Sequence, residues 1–206
     1  LMDVESSQML GMLSTGAWRN AVELSPNRDL VYSPETYYSR GTRGERKDVL
    51  TIYELETLSP LGEIEIPPKR GSGAAHRAYS GISLDGRFVY VFNVTPAMSV
   101  SVIDVVKQTF VEEISIDGCA MVYPTGNFSF LSLCGNGRVR HTKLSHSGKL
   151  MESFFSDQIF DPMEDPLTEK AARVGGTWYF VSFHGKVVEV DASDEGGLET
   201  REWNAL

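Results

Sequence analysis

The sequence predicts an all-β fold made of repeated four-stranded units, which is the architecture of a β-propeller. Three observations support this prediction. β-Branched and aromatic residues dominate the apolar segments, and glycine or proline interrupts the chain at short intervals. One pattern of turns and alternating strands also recurs about every 40 to 50 residues, a period that is typical of propeller blades.

The first half of each unit is a tight turn flanked by apolar strands. Its copies lie at residues 24–32, 82–92, 122–131 and 175–181. Each copy combines a Pro, Gly, Asn or Asp turn with β-branched or aromatic neighbours, and therefore predicts a hairpin of two buried strands.

The second half is an alternating strand, a short polar turn and another alternating strand. Its copies lie at residues 49–66, 100–116, 139–155 and 186–203. Together the two halves predict four strands per unit. The predicted blades lie near residues 18–66, 76–116, 119–155 and 168–203, and residues 1–13 read as the tail of a preceding blade.

The remaining segments are expected to be irregular. Residues 33–47 and 67–79 contain Pro, Gly and Arg and read as surface loops between strands. Residues 161–172 are the one stretch in which a short helical turn is expected.

The expected ring is larger than this chain. Propellers usually close by pairing their first and last strands, which leaves no long exposed edge. The sequence begins with half a predicted blade and ends on a complete outer strand. We therefore expect about four blades of a longer propeller, truncated at both ends, in preference to a four-bladed ring.

Composition narrows the function classes. The 206 residues are 41% hydrophobic and carry a formal net charge of -9, so the summed field repels phosphate backbones and anionic lipid. Nucleic acid is therefore not an expected partner. Membrane insertion is not expected either, because no apolar stretch is long enough to span a bilayer. Cys119 and Cys134 are compatible with free thiols or with a disulfide.

No self-sufficient active site is evident in the sequence. The four histidines, His76, His141, His146 and His184, lack ligands at metal-binding spacing. Asp161, Glu164 and Asp165 contain calcium-type oxygen ligands, but a solvated turn is the favoured interpretation. No nucleophile elbow occurs. We therefore assign no catalytic residue and no metal ligand.

Specific residues carry a family resemblance that covers essentially the whole chain in collinear order. They are an Arg-Gly-Glu-Arg loop within residues 38–49, a Thr-Pro-Ala-Met-Ser stretch at 95–99, and two cysteines with fourteen residues between them. Residues 53–58, 62–70 and 83–88 continue the likeness. The chain resembles the large (heavy) subunit of the quinoprotein amine dehydrogenases, and looks closer to the aromatic amine than to the methylamine enzyme.

The resemblance implies a seven-bladed propeller of which this chain is the middle. It also implies a periplasmic complex, expected to be a heterotetramer, that oxidises primary amines to aldehydes. The tryptophan tryptophylquinone is expected in a separate small subunit, and no cofactor is expected in this chain. Electrons are expected to pass to a cupredoxin or a cytochrome.

The cysteine pair is also compatible with hairpin geometry. If Gly126 and Asn127 form a two-residue turn, opposed residues have numbers that sum to 253, as 119 and 134 do. This register predicts a hydrogen-bonded pair with Cα atoms about 5.5 Å apart, which a disulfide tolerates. We favour a disulfide over two buried thiols.

Two further features have functional interpretations. Arg40, Arg43 and Arg46 concentrate positive charge in one loop, and contact with carboxylates of a partner subunit is as plausible as a solvated loop. Trp18 matches, within one residue, a position where the family has a Phe lining the substrate channel. A core aromatic is the competing interpretation for Trp18, and a Trp in the channel would narrow it.

Two other function classes are alternatives for a propeller. A propeller that serves only as a non-enzymatic interaction platform is the main alternative. A propeller lactonase would need acidic or histidine ligands converging on the central channel, and the sequence does not indicate them.

Overall fold

The computed structural model describes residues 1–18, 21–71, 76–192 and 197–204. Within these ranges the chain forms sixteen β-strands and one turn of 3₁₀ helix at Arg77–Tyr79. The strands make four antiparallel sheets, each of four strands that pair in chain order. The predicted all-β fold built of four-stranded units is confirmed.

The first two sheets occupy the N-terminal half of the chain. The first contains β1 (Glu23–Leu24), β2 (Leu30–Arg40), β3 (Arg43–Glu54) and β4 (Pro60–Ile66). The second contains β5 (Ser80–Ile82), β6 (Phe88–Asn93), β7 (Ser99–Asp104) and β8 (Thr109–Ser115).

The other two sheets repeat the same meander. The third contains β9 (Cys119–Pro124), β10 (Ser129–Cys134), β11 (Val139–Leu144) and β12 (Leu150–Phe155). The fourth contains β13 (Ala172–Val174), β14 (Thr177–Val181), β15 (Lys186–Ala192) and β16 (Leu198–Asn204).

A hydroxyl residue closes the turn between the first and second strands of three sheets. The Ser25 hydroxyl accepts the N–H groups of Asp29 and Leu30, and the Ser83 hydroxyl accepts that of Phe88. In the third sheet the Thr125 and Ser129 hydroxyls lie 2.8 Å apart. These side chains satisfy polar groups that a tight turn leaves unpaired.

The apolar core lies between consecutive sheets. In β6 the even-numbered Phe88, Tyr90 and Phe92 pack toward the third sheet, whereas Val89 and Val91 pack toward the first. Because successive strand residues point to opposite faces, a strand buried on both sides reads as a continuous apolar run. A third cluster, centred on Tyr123 and Phe180, joins the third and fourth sheets. This stacking of sheets through successive cores is propeller packing.

The first strands of neighbouring sheets approach closely at Gly81. A Cβ atom at this position would lie 2.6 Å from Cγ and 2.8 Å from Cδ of Pro124. Replacing Gly81 by alanine is therefore expected to lower the free energy of unfolding by about 1–3 kcal/mol through overpacking. Urea denaturation measures this loss. Gly62→Ala is the matched control, since nothing lies within 4 Å of that Cβ position. Equal stability of the two variants would contradict the close packing of the first strands at Gly81.

Residues 33–47 are not the surface loop that the sequence predicts. Strands β2 and β3 extend through this region and form one long hairpin that turns at residues 41–42. The prediction failed because the buried residues here are polar: Ser33, Glu35 and Thr36 are fully buried. Alternation of apolar and polar residues therefore does not reveal the strand.

The other two segments that the sequence predicts to be irregular contain no long strand or helix in the described residues. Residues 67–71 and 76–79 connect the first two sheets and contain the 3₁₀ turn. Residues 161–172 do not form a helix. They contain a single helical-type hydrogen bond from Asp165 N to Asp161 O, together with short bridges at Asp161, Asp165 and Leu167.

The N-terminal segment packs against the first sheet. Residues 1–11 form a small hairpin, in which Met2 opposes Met9. Gly16 then pairs with Thr36 of β2, and the Tyr53 hydroxyl lies 3.2 Å from Ser14 O. This segment covers the face of the first sheet that points away from the second.

Candidate functional site

One end of the four sheets carries most of the residues that the sequence singles out. Because the strands alternate in direction, the turns at residues 41–42, 94–98, 135–138 and 182–185 lie at this end. Residues 67–71, 76–79, 116–118 and 156–171, which connect the sheets, lie there too. We call it the hairpin end, after the long β2–β3 hairpin that extends from it.

A buried ion network holds the base of the β2–β3 hairpin. Asp48 is fully buried and accepts a bidentate pair from Arg46, with Nε 2.9 Å from Oδ1 and Nη2 2.7 Å from Oδ2. The Arg70 backbone N–H also donates to Asp48, at 3.1 Å, and Arg70 Nε donates to Thr36. Thr36 in turn donates to Asp48. The network fastens the hairpin to the connection between the first two sheets.

The three arginines of the predicted partner contact differ in their environment, because only Arg46 belongs to this network. Arg46 is half-buried, and its guanidinium also donates to Arg70 O at 3.0 Å. The hydrogen bond with Asp48 raises the pKa of Arg46. Arg40 and Arg43 are exposed near the hairpin tip. The internal pairing of Arg46 argues against its use as a partner contact, so Arg40 and Arg43 are the better candidates.

A second buried carboxylate lies on the opposite face of the same hairpin. Glu35 is fully buried and accepts hydrogen bonds from the hydroxyls of Tyr37 (2.6 Å), Thr51 (2.7 Å) and Tyr53 (2.9 Å). Burial and the neighbouring carboxylate raise the pKa of Tyr53 to about 12. Burial and the same carboxylate also raise the pKa of Tyr37. These tyrosines are therefore hydrogen-bond donors at neutral pH.

Trp18 lies beside the hairpin, at the end of the N-terminal segment. Its neighbour Ala17 donates to Thr36 O, and the Thr15 hydroxyl donates to Trp18 O. The residue is 41% exposed in this chain. The role in a substrate channel stays a prediction. Arg19 and Asn20, which follow it, lie outside the described residues.

Cys119 and Cys134 are joined by a disulfide bond near the hairpin end. They oppose each other in the register of β9 and β10. The predicted hydrogen-bonded position is wrong: Gly135 N donates to Gly118 O, so the cysteines form the adjacent non-hydrogen-bonded pair, with Cα atoms 3.8 Å apart.

The predicted two-residue turn beside the disulfide is also wrong. Thr125 N donates to Ser129 O, which leaves residues 126–128 in the loop, and Phe130 opposes Pro124. A bulge between Leu131 and Leu133 then restores the register that pairs the cysteines. Two one-residue departures cancel, and the predicted partners remain opposite each other.

Several apolar side chains are exposed at the hairpin end. Phe183 is 78% exposed and Met163 is 86% exposed. Val94 and Met98 of the β6–β7 turn are also exposed. Exposed apolar groups and exposed arginines thus occur at the same end of the sheets, and protein-binding surfaces combine both.

The first strands of the four sheets line a central cavity of about 700 Å³. Its polar lining includes Glu23 of β1, Ser80 of β5 and Arg173 of β13, together with Arg77 of the 3₁₀ turn. His76 and Glu169 form an ion pair of 2.8 Å in the same lining. Sequence reasoning missed this site because its residues come from distant units and share no local motif.

The remaining chemical candidates have structural roles in the described chain. Asp161 accepts the backbone N–H groups of Met163 and Glu164, and these hydrogen bonds lower the pKa of Asp161. Asp165 accepts the N–H of His184. Buried His141 packs edge-on against Phe154. Across residues 1–18, 21–71, 76–192 and 197–204, no three His, Cys, Asp or Glu side chains are grouped so that they could hold a metal ion.

The described part of the chain also contains no helix that is long and apolar enough to cross a membrane.

Sequence comparison identifies the family. Residues 1–199 match the methylamine dehydrogenase heavy chain family. The methylamine dehydrogenase heavy chain of Methylophilus methylotrophus is 25% identical over 95% of this chain and 48% of its own length. The corresponding chain of Paracoccus versutus is 20% identical over 95% of this chain and 46% of its own length. The chain thus spans about half the length of these relatives.

Comparison with solved structures supports the fold. Kuenenia stuttgartiensis hydrazine synthase superimposes with a TM-score of 0.62 over 92% of this chain and 57% of that chain, at 16% identity. Dihydro-heme d1 dehydrogenase NirN superimposes with a TM-score of 0.60 over 96% of this chain and 40% of that chain, also at 16% identity. At these identities the likeness extends to the fold alone.

Proposed function

Because the chain belongs to the methylamine dehydrogenase heavy chain family, we propose that it is part of the propeller subunit of a periplasmic quinoprotein amine dehydrogenase. The complex oxidises a primary amine to an aldehyde. A separate small subunit carries the tryptophan tryptophylquinone, and a cupredoxin or cytochrome accepts the electrons. The subunits assemble as a heterotetramer.

The hairpin end is the observation that carries the proposal. It combines the exposed arginines Arg40 and Arg43 with the exposed apolar side chains of Met163 and Phe183. Protein-binding surfaces combine apolar anchors with a charged rim in this way. The Asp48 network holds the hairpin in place before binding, which lowers the entropic cost of docking.

Trp178 and Trp203 are not placed to form the quinone with each other. A cofactor built from two cross-linked tryptophans requires the two rings to be adjacent. Trp178 faces the third sheet, where Nε1 donates to Pro124 O. Trp203 packs against Tyr179 on the other face of the fourth sheet. The separation of these two rings supports the proposal that the small subunit carries the quinone.

The contribution of this chain is to bind and orient the small subunit and to keep water from its buried contact surface. Trp18 is proposed to line the path by which the amine enters, next to the hairpin that holds the partner. A Trp at this position favours a narrow path and a slender amine. The disulfide suits the oxidising periplasm.

Removing the two exposed charges is expected to weaken the docking. Arg40→Gln combined with Arg43→Gln should lower the association rate with the small subunit about tenfold, because exposed charges act mainly on encounter. Surface plasmon resonance measures the rate, and the difference should shrink at high salt. Arg28→Gln with Lys107→Gln makes the same change of charge at the opposite end. An equal effect from that control would contradict docking at the hairpin end.

Purification of the intact protein from the periplasm tests the proposed function. The expected product is a complex with a small subunit whose quinone absorbance is bleached by a primary amine. A colourless complex with other proteins would instead support the non-enzymatic interaction platform.

A further inference from the structure

The central cavity carries a cluster of charges that the proposed function does not use. Its volume of about 700 Å³ lies within the range of small-molecule sites. The lining contains three cationic side chains, Arg77, Lys170 and Arg173, but only two carboxylates, Glu23 and Glu169. The excess of positive charge is notable in a chain whose net charge is -9.

The two arginines are placed to receive a ligand. Within the described residues Arg77 makes no side-chain hydrogen bond, and the contact of Arg173 Nη1 with Pro124 O is long, at 3.4 Å. Arg173 also lies over the ring of Trp178, at 5.7 Å from Cζ to the centroid. Glu169 is already paired with His76. Among the residues that the structure describes, most of the hydrogen-bonding capacity of the two guanidinium groups is therefore unused.

We propose that the central cavity binds a small-molecule oxyanion, a phosphate or a carboxylate, between Arg77 and Arg173. The planar guanidinium fork matches both anions with paired hydrogen bonds. Both guanidinium groups are exposed in this chain, so an anion can reach them from solvent. A cavity of about 700 Å³ has room for a small molecule but not for a folded domain.

Glu23 couples this site to pH. Its Oε1 accepts a hydrogen bond of 2.7 Å from Ser80 of β5, and the charged groups that face it are Arg77 of the 3₁₀ turn and Arg173 of β13. Burial raises the pKa of Glu23 to about 7, although Ser80 and the two arginines oppose the shift. Below that pH the carboxyl is neutral and both guanidinium charges are available. Above it, the carboxylate competes with the ligand.

Isothermal titration of the intact protein with inorganic phosphate and with succinate tests the proposal. At least one anion should bind, and the affinity for succinate should fall about tenfold from pH 6 to pH 8 as Glu23 ionises. Inorganic phosphate gains negative charge over the same range, so its binding is compared between variants at one pH. Arg77→Gln and Arg173→Gln should each weaken binding about tenfold or more, the value of one lost charged hydrogen bond. Arg28→Gln, in an exposed turn at the opposite end, is the matched control.

Glu23→Gln keeps the proposal falsifiable if an arginine variant fails to fold. It should bind succinate with little dependence on pH between 6 and 8. Absence of binding by both anions, or unchanged binding in both arginine variants, would overturn the site. The experiment needs neither the small subunit nor its quinone, so its failure would leave the proposed function standing.

Discussion

Replacing Asp48 by alanine is expected to lower the free energy of unfolding by about 3–5 kcal/mol, because it leaves buried cationic and hydrogen-bonding groups without their partner. The Arg70 backbone N–H, the Arg46 guanidinium and the Thr36 hydroxyl all donate to this carboxylate. Arg70 is 3% exposed, so water does not readily replace the lost acceptor. Urea denaturation measures the loss.

The same variant should loosen the β2–β3 hairpin before the sheets unfold. Hydrogen exchange is expected to show lost protection in β2 and β3 while β6 and β7 stay protected. Glu65→Ala on β4 is the matched control. Glu65 forms an ion pair with Lys47, but the two side chains are 71% and 54% exposed, respectively, so the pair should contribute little to stability. A Glu65 variant as unstable as the Asp48 variant would show that the buried network is not what holds the hairpin.

Removing the disulfide is expected to cost about 3 kcal/mol. The cysteines are separated by 15 residues, and cross-linking a loop of this length restricts the unfolded chain by about that amount. Cys119→Ala combined with Cys134→Ala should therefore show a lower urea midpoint than the oxidised protein. Reduced wild-type protein should lose a similar amount, whereas the double variant should not respond to reductant. A loss below about 1 kcal/mol would contradict this role.

The strands that bury apolar residues on both faces were predictable from the sequence. The run of β6, residues 88–93, is fully buried, and its β-branched and aromatic residues between turn signals favour a strand buried on both faces. The turns were predictable because proline, glycine and hydroxyl residues mark them, as at Ser25 and Ser83. In these segments the local sequence preference and the long-range packing favour the same structure.

The β2–β3 hairpin was not predictable because its stability depends on polar groups that meet only in the folded chain. Glu35 and Asp48 are fully buried, yet in the sequence both look like solvent-exposed acids. Burial of such groups is tolerated when hydrogen-bond partners surround them. Those partners include Thr51 and Arg70, which lie 16 and 22 residues away.

The candidate site was only partly predictable for a similar reason. The cluster of Arg40, Arg43 and Arg46 is visible in the sequence, but the pairing of Arg46 with Asp48 is a property of the strand register. The central cavity depends on Glu23, Arg77 and Arg173, which three different units bring together. Nothing local connects these positions.

The structure of the intact complex purified from the periplasm is the most direct test of the account. We expect the four sheets to be consecutive blades around one axis, with a quinone-bearing small subunit seated at the hairpin end and in contact with Arg40 and Arg43. A small subunit bound at the opposite end, or sheets that do not surround a common axis, would contradict it.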